Sequence, residues 1–568
     1  MTRKVLASCL CMALTACSIP SWQKAPHDTL YQHAAPERLH RIPKELEASN
    51  WWEALYGGSF EQLGKLANPG FHARRALDLE PALDVNAFGK VPDSSWFENR
   101  LGARPLRASD VMRGPNGGDG PAPGPLIIKK GKTEGVTPGL MLEDSAGVGW
   151  VVKFDPPAYP ELTSAAEVIS TRLLYAAGYH VPENYVVSFK LDRLELGSDA
   201  KTEDRYGRKV PFTPAQLNVT LSQLNTTADG RVRAMFSKYL PGRPIGPFPL
   251  RGVRLDDPND KIPHELRRSL RGLWVFYAWI NNTDAKLANS LDVFLEDEGA
   301  RRGLGHVRHY LLDFGTSLGA AATGPKPMVW GYEYAVDWER VFGRLLTLGI
   351  AYPYWATARR SPLRSVGQFE SEVFDPAKWR PLYPNEPFDC ADELDTFWGA
   401  SILSHFDAVT VASAVAAGEY SDPLSSAWVT YTLMERRDKL LRHAFENLLP
   451  IDNPRVERKT DLMFEDLEVT AGLARAEAAS YRWRLIWHHG NEPRAVAAGR
   501  ARGARVRLGP AHRMLRRLFD AGDHEPFFTL RLSRAQDSKI DERGSVDIHL
   551  RLLGDGSFLP VGLVRVRK

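Results

Sequence analysis

Five residues of the 568-residue chain are of the types, and in the order, that transfer of a phosphoryl group from ATP requires: Lys153, Glu167, Asp284, Asn289 and Asp313. That reaction has few covalent actors. It needs a cation on the phosphates, two oxygen ligands for Mg²⁺, and a carboxylate that orients or accepts the proton of the attacking hydroxyl. Lys153 lies in Gly149-Trp-Val-Val-Lys-Phe-Asp155, an alternating pattern that predicts a strand with the ammonium on one face, and Glu167 follows 14 residues later in a helical stretch. Asp284 and Asn289 are five apart in Trp279-Ile-Asn-Asn-Thr-Asp-Ala-Lys-Leu-Ala-Asn-Ser-Leu-Asp-Val-Phe294, which closes a helix and runs into a strand. Asp313 stands in His309-Tyr-Leu-Leu-Asp-Phe-Gly315, delivered by an apolar strand. Each feature is common alone; their joint order carries the information.

In these segments the chain resembles the kinase-like fold in its atypical branches: HipA-type kinases, type II phosphatidylinositol 4-kinases, CotH-type spore-coat kinases and secretory-pathway casein kinases. Asn282-Thr-Asp-Ala-Lys-Leu-Ala-Asn289 is similar to the HipA pattern N-x-D-x-H-x-x-N, with Lys286 in the histidine position. Glu167-Val-Ile-Ser-Thr-Arg-Leu-Leu-Tyr-Ala-Ala-Gly-Tyr-His-Val-Pro182 is similar to the HipA helix and the turn after it. The resemblance covers about residues 126–450. It implies that Lys153 binds phosphate, Glu167 positions that lysine, Asp284 is the catalytic base, and Asn289 and Asp313 hold Mg²⁺ or Mn²⁺, with ATP as the nucleotide. No His-Arg-Asp triplet is present, because Asn282 and Thr283 precede Asp284. The phosphate loop is expected in Gly131-Lys-Thr-Glu-Gly-Val-Thr-Pro-Gly139, with Gly131, Lys132 and Gly135 as candidate contacts. Its glycines do not follow G-x-G-x-x-G, and Leu126 stands where a Walker A loop needs glycine. Lys132 reads either as a phosphate contact or as a solvated loop lysine.

These residues need a scaffold, and the chain patterns supply one. Strands are predicted at 126–129, 140–143, 150–154, 185–191 and 232–240, with one helix over 163–177. Helical periodicity dominates later, over 263–280, 338–348, 391–417 and 424–448. The tail returns to strands at 481–487, 527–532, 546–553 and 559–566. The expected fold class is α+β: a two-lobed kinase-like domain, with a β-rich N-lobe over 126–244 and an α-helical C-lobe over 245–450, then an all-β sandwich-like domain over 455–568. Residues 17–125 read as a tether and an N-terminal extension, in which the aromatics of Val91-Pro-Asp-Ser-Ser-Trp-Phe-Glu-Asn-Arg100 dock onto the next domain.

With 43% hydrophobic and 25% charged residues the chain is neither disordered nor fibrous, and its length allows several cores. Its 73 basic residues against 69 acidic ones are too balanced for a chain-wide polynucleotide surface, so no nucleic acid is expected as a partner. Residues 1–16 read as a signal peptide: Arg3 and Lys4 precede an apolar run from Val5 to Leu14, too short to span a bilayer. Leu14-Thr15-Ala16-Cys17 resembles the bacterial lipobox, which implies acylation of Cys17 and membrane attachment through that lipid. Ser18 in place of Asp implies outer-membrane sorting within the cell envelope. After loss of Cys9 and Cys11 with the leader and acylation of Cys17, Cys390 is the remaining thiol, so core packing must stabilise the fold.

The tail carries seven more basic than acidic residues from Arg455 onward, densest between Arg500 and Arg517, and reads as a solvated face or a surface for anionic headgroups. His488-His489 reads as a turn rather than a metal site, and Arg436-Arg437 as a solvated helix surface. The leading expectation is an exported, lipid-anchored atypical kinase acting on a hydroxyl of a protein or small molecule. Alternatives are a catalytically inactive kinase-like scaffold of the envelope and a nucleotidyl transferase.

Overall fold

The computed structural model describes residues 37–47, 80–131, 139–203, 208–299, 302–348, 350, 353–489, 492–509, 526–535 and 544–567. The leader, Cys17, Lys132 and Gly135 lie outside them. The fold is α+β. Residues 37–47, 80–84 and 93–444 form one compact unit, and residues 85–92 and 445–567 form another.

The main sheet of the larger unit begins with β1 (Leu126–Gly131), β2 (Gly139–Glu143) and β3 (Gly149–Phe154). Then come α1 (Leu162–Ala177), β4 (Asn184–Lys190), β5 (Leu194–Glu203), β6 (Lys209–Pro211), α2 (Pro214–Ser222) and β7 (Arg231–Lys238). The strands build one seven-stranded sheet in the order β4-β7-β3-β2-β1-β5-β6, in which only the β1–β5 pair is parallel. Every expected strand and the expected helix of this region are present within one or two residues. β5, β6 and α2 go beyond that expectation because their side chains are mostly exposed or half-buried and give no apolar period. In β3 the two-residue period sends Trp150, Val152 and Phe154 into the sheet's core and leaves Lys153 on the other face.

Helices follow. The expected single helix over 263–280 is instead a 3₁₀ turn (His264–Leu266), then α3 (Arg268–Arg271) and α4 (Leu273–Trp279). Gly272 marks the break; a Cβ there would stand 2.4 Å from Trp398, so close helix packing takes precedence over continuity. The hairpin β9 (Ser290–Glu296) and β10 (Leu304–Leu311) forms a four-stranded sheet with β8 (Arg243–Pro244) and His40–Arg41. Further on lie α5 (Trp338–Leu346), α6 (Glu393–Leu403), α7 (Ala408–Ala416) and α8 (Pro423–Ala444). The expected helix over 391–417 thus splits, with a 78° bend. Asp407 ends the run by accepting from the Thr410 amide at 2.8 Å, an N-cap inside an otherwise continuous apolar pattern. Among the described residues no single helix is long and apolar enough to cross a membrane.

The docking expected for the Val91–Arg100 aromatics holds within this unit. Phe97 is fully buried against Tyr179 and Trp398, and Trp96 stacks on His309 with ring centroids 3.5 Å apart.

The second unit is β-rich. Strands β11 (Ile451–Glu457), β12 (Asp461–Asp466) and β15 (Arg505–Arg507) form one sheet. Strands β13 (Ser480–His489), β14 (Glu492–Arg502), β16 (Phe527–Arg534), β17 (Val546–Leu552) and β18 (Phe558–Arg565) form the other, in the order β14-β13-β16-β17-β18. One apolar core draws on both sheets, with Leu462 and Phe464 from the first and Leu485, Leu530 and Ile548 from the second. Phe88 joins that core, and Lys90 pairs with the buried Asp452, so residues 85–92 belong here rather than to the extension in which the sequence placed them. His488 and His489 end β13 rather than forming a turn, and the His488 ring bonds Thr529 Oγ1 at 2.7 Å.

Candidate functional site

Asp155 explains how Lys153 and Glu167 meet. Two residues beyond the lysine, its carboxylate accepts from the amides of Glu161, Thr163 and Ser164 at 3.0, 2.8 and 2.8 Å, and from the Thr163 and Ser164 hydroxyls. It therefore satisfies the orphan donors at the start of α1 and ties that helix to the end of β3. At the far end, Gly178 closes α1 at φ 129°, where its amide bonds the carbonyls of Leu174 and Tyr175.

Held so, Lys153 Nζ lies 3.2 Å from Glu167 Oε2 and 2.8 Å from Asp313 Oδ1. The second Glu167 oxygen accepts from the Phe314 amide at 2.9 Å. Glu167 thus binds the lysine with one oxygen and the segment after Asp313 with the other. Burial acts against the Lys153 charge, but Asp313 and Glu167 outweigh it and hold its pKa above the usual lysine value. Burial raises the Glu167 pKa; Lys153 opposes that rise and Asp313 adds to it. Asp313 itself adopts φ 58°, a left-handed conformation that Asp tolerates better than most residues.

The second half of the site is the loop after α4. Asn281 turns the chain out of the helix at φ 51°. Asp284 Oδ2 then pairs with Lys286 Nζ at 3.0 Å. Asn289 Nδ2 donates to the Asp284 carbonyl at 2.8 Å, closing the loop on itself, and its own carbonyl accepts from the Leu312 amide at 2.9 Å, beside Asp313. Burial opposes the Lys286 charge, but Asp284 and then Asp313 raise its pKa overall, so its ammonium feels both carboxylates. With its amide nitrogen committed, Asn289 has Oδ1 left to face a cation. Asp313 is half-exposed in its side chain, and a carboxylate and an amide oxygen are the hard donor types that Mg²⁺ takes beside water and phosphate. Among the described residues no three His, Cys, Asp or Glu side chains converge as a metal cage.

The remaining expected residues fall as follows. Gly131 ends β1, buried, where a Cβ would press on Phe212 and Thr202 at 3.2 Å; packing alone accounts for this glycine. Gly139, at the far end of the expected phosphate loop, is the register partner of Lys153. That loop therefore rejoins the sheet directly beside the lysine.

Two residues that hold the site have no such role in the sequence expectation. Lys326 is buried, and its ammonium donates to the carbonyls of Asn281 and Thr316, joining the loop after α4 to the segment after Asp313. Arg436, expected on a solvated surface, is 1% exposed. It donates to the carbonyls of Ala278 at 2.6 Å, Trp279 at 2.9 Å and Glu370 at 2.9 Å, and stacks over Phe374. Arg437 is likewise buried, on the Phe406 carbonyl. Neighbouring Glu435 and Asp438 make the pair look solvated; a partner that is a backbone carbonyl leaves no mark in sequence.

No family model matches the chain, and no curated protein matches it. Among solved structures the chain is similar to the Golgi casein kinase at 10% identity and a TM-score of 0.27, over 71% of this chain and 91% of that one.

Proposed function

We propose that the chain is an exported, lipid-anchored atypical kinase that transfers the γ-phosphoryl of Mg-ATP to a hydroxyl of a protein or small molecule. The observation that carries this reading is the single ammonium of Lys153 held between Glu167 and Asp313, with Asp284 and Asn289 on the adjoining loop. In this reading Lys153 contacts the α- and β-phosphates, and Glu167 keeps its Nζ fixed through the backbone bond to Phe314. Asp284 Oδ accepts the proton of the attacking hydroxyl, and Lys286 neutralises charge beside it. Asn289 Oδ1 and Asp313 would hold Mg²⁺, which when bound supplies charge neutralisation on the transferring phosphate. Asp313 would hold the metal while its Oδ1 pairs with Lys153, so ion and lysine would share one carboxylate. Acylation at Cys17 and outer-membrane sorting belong to the same proposal and rest on the lipobox pattern and Ser18.

The test follows the melting temperature of the chain from Ser18 onward with ATP or ADP, each with and without Mg²⁺ or Mn²⁺, beside Asp313→Ala. Ligand binding to the native state raises apparent stability by mass action. A metal-dependent rise that is lost in the variant is the expected result. No shift at millimolar nucleotide would replace the kinase reading with that of an envelope scaffold.

A further inference from the structure

Helix α5 has the pattern of a helix that should be buried, with Trp338, Val341, Phe342, Leu345 and Leu346 on one face at i, i+3, i+4, i+7 and i+8. That face is open: Leu345 is 65% exposed and Leu346 86%, and Leu348 and Ile350 beyond the helix are 89% and 83% exposed. Isolated exposed leucines need no explanation, but four large aliphatic side chains exposed within six residues do.

The helix and the segment after it are basic in sequence. Between Trp338 and Arg364 the chain has five arginines, Arg340, Arg344, Arg359, Arg360 and Arg364, against one acidic residue, Glu339. Glu333 binds this element together from behind, accepting from Arg344 at 2.7 Å and from the Trp355 indole at 2.9 Å. Arg359 is 87% exposed, with Glu372 3.8 Å away.

We infer that α5 and the described residues after it through Arg364 form an interfacial element that inserts its apolar face into an anionic lipid surface, with the exposed Arg359, Arg360 and Arg364 on the headgroup phosphates. Amphipathic helices with aromatic and leucine side chains on one face and arginines on the other bind the headgroup boundary in this way. Charge selects among occupants. A two-fold contact with a second copy would set this arginine-rich strip against itself, whereas anionic headgroups complement it. The inference does not depend on phosphoryl transfer or on a lipid at Cys17.

The test is vesicle flotation of the chain from Ser18 onward, which has no acyl group, with phosphatidylcholine vesicles containing or lacking phosphatidylglycerol. Flotation with the anionic vesicles, and a loss of about tenfold or more in Leu345→Glu/Leu346→Glu, is the expected result. Both leucines are exposed, so an unchanged melting temperature verifies that the variant is folded. Arg359→Glu/Arg360→Glu should weaken flotation at low salt and leave little difference at high salt. Absence of flotation, equal flotation of the double leucine variant, or equal binding to neutral vesicles overturns the inference. So does self-association of the parent chain that the leucine variant abolishes, since a second copy would then cover the face.

Discussion

The guanidinium of Arg436 on α8 donates at 2.9 Å to the carbonyl of Trp279, the last residue of α4, and so caps the helix from which the Asn281–Asn289 loop emerges. Helix C-termini leave carbonyls without partners, and these are buried. Arg436→Met keeps the stem's packing on Phe374 and removes all three donors. Leaving the carbonyls of Trp279 and Glu370 unpaired, with Ala278 keeping only its backbone partner Asn281, should cost about 2–4 kcal/mol, read as a lower denaturant midpoint at unchanged slope. A change below about 1 kcal/mol would mean that water replaces the arginine there.

The difference between Lys153 and Arg436 marks what the sequence carries. The strand around Lys153 is written in a two-residue period, and α1 in a helical run closed by Gly178, so both elements and their facing residues are legible. The order Lys153, Glu167, Asp284, Asn289, Asp313 was sufficient to look for one site, and the chain does bring the first two together with Asp313. Helix breaks at Gly272 and Asp407 were illegible because apolar periodicity continues through them; a contact with Trp398 and one side-chain cap decide the matter. Lys326 and Arg436 lay beyond reach for a further reason. Their partners are carbonyl oxygens, which every residue has.

Asp284 and Asp313 should separate on substitution. Asp284→Ala removes the proposed base and should abolish turnover while nucleotide still raises the melting temperature. Asp313→Ala removes a proposed metal ligand and should weaken the metal-dependent part of that rise. Wild-type activity in both variants, measured with labelled ATP, would defeat both role assignments.

Lys286 stands 3.0 Å from Asp284 Oδ2 in a largely buried pair. Lys286→Met leaves that carboxylate without the cation that faces it across the loop. A fall of roughly 10²-fold in kcat is expected on the proposed reaction. Recovery of most of that loss in Lys286→Arg would identify charge as the contribution; an unchanged kcat in Lys286→Met would remove the lysine from the proposed chemistry.

Gly178 is a place where backbone and packing make the same demand. At φ 129° a side chain is strained, and a Cβ would lie 2.3 Å from Phe97 Cζ and 2.6 Å from the Glu98 carbonyl. Gly178→Ala should therefore destabilise the larger unit by more than about 1 kcal/mol, with Phe97 displaced from Tyr179 and Trp398. An unfolding midpoint equal to that of the parent would show that the end of α1 can reopen at no cost.

His180 gives a pH dependence whose sign can be worked out. Burial first, then the charges of Arg100 and Arg308, push its pKa down to about 3 from an ordinary 6.5. Its ring bonds the Ser94 carbonyl at 3.4 Å, and its own carbonyl accepts from the Leu311 amide near Asp313. Between those two pH values the unfolded chain binds the proton and the folded chain does not. Stability from this group is thus complete above about pH 6.5 and is lost as pH falls toward 3, at up to about 1.4 kcal/mol per pH unit. His180→Gln removes the titration, so the difference in urea midpoint between parent and variant should narrow as pH is lowered from 7 to 4. A constant difference across that range would mean that the folded protein protonates His180 as readily as the unfolded chain does.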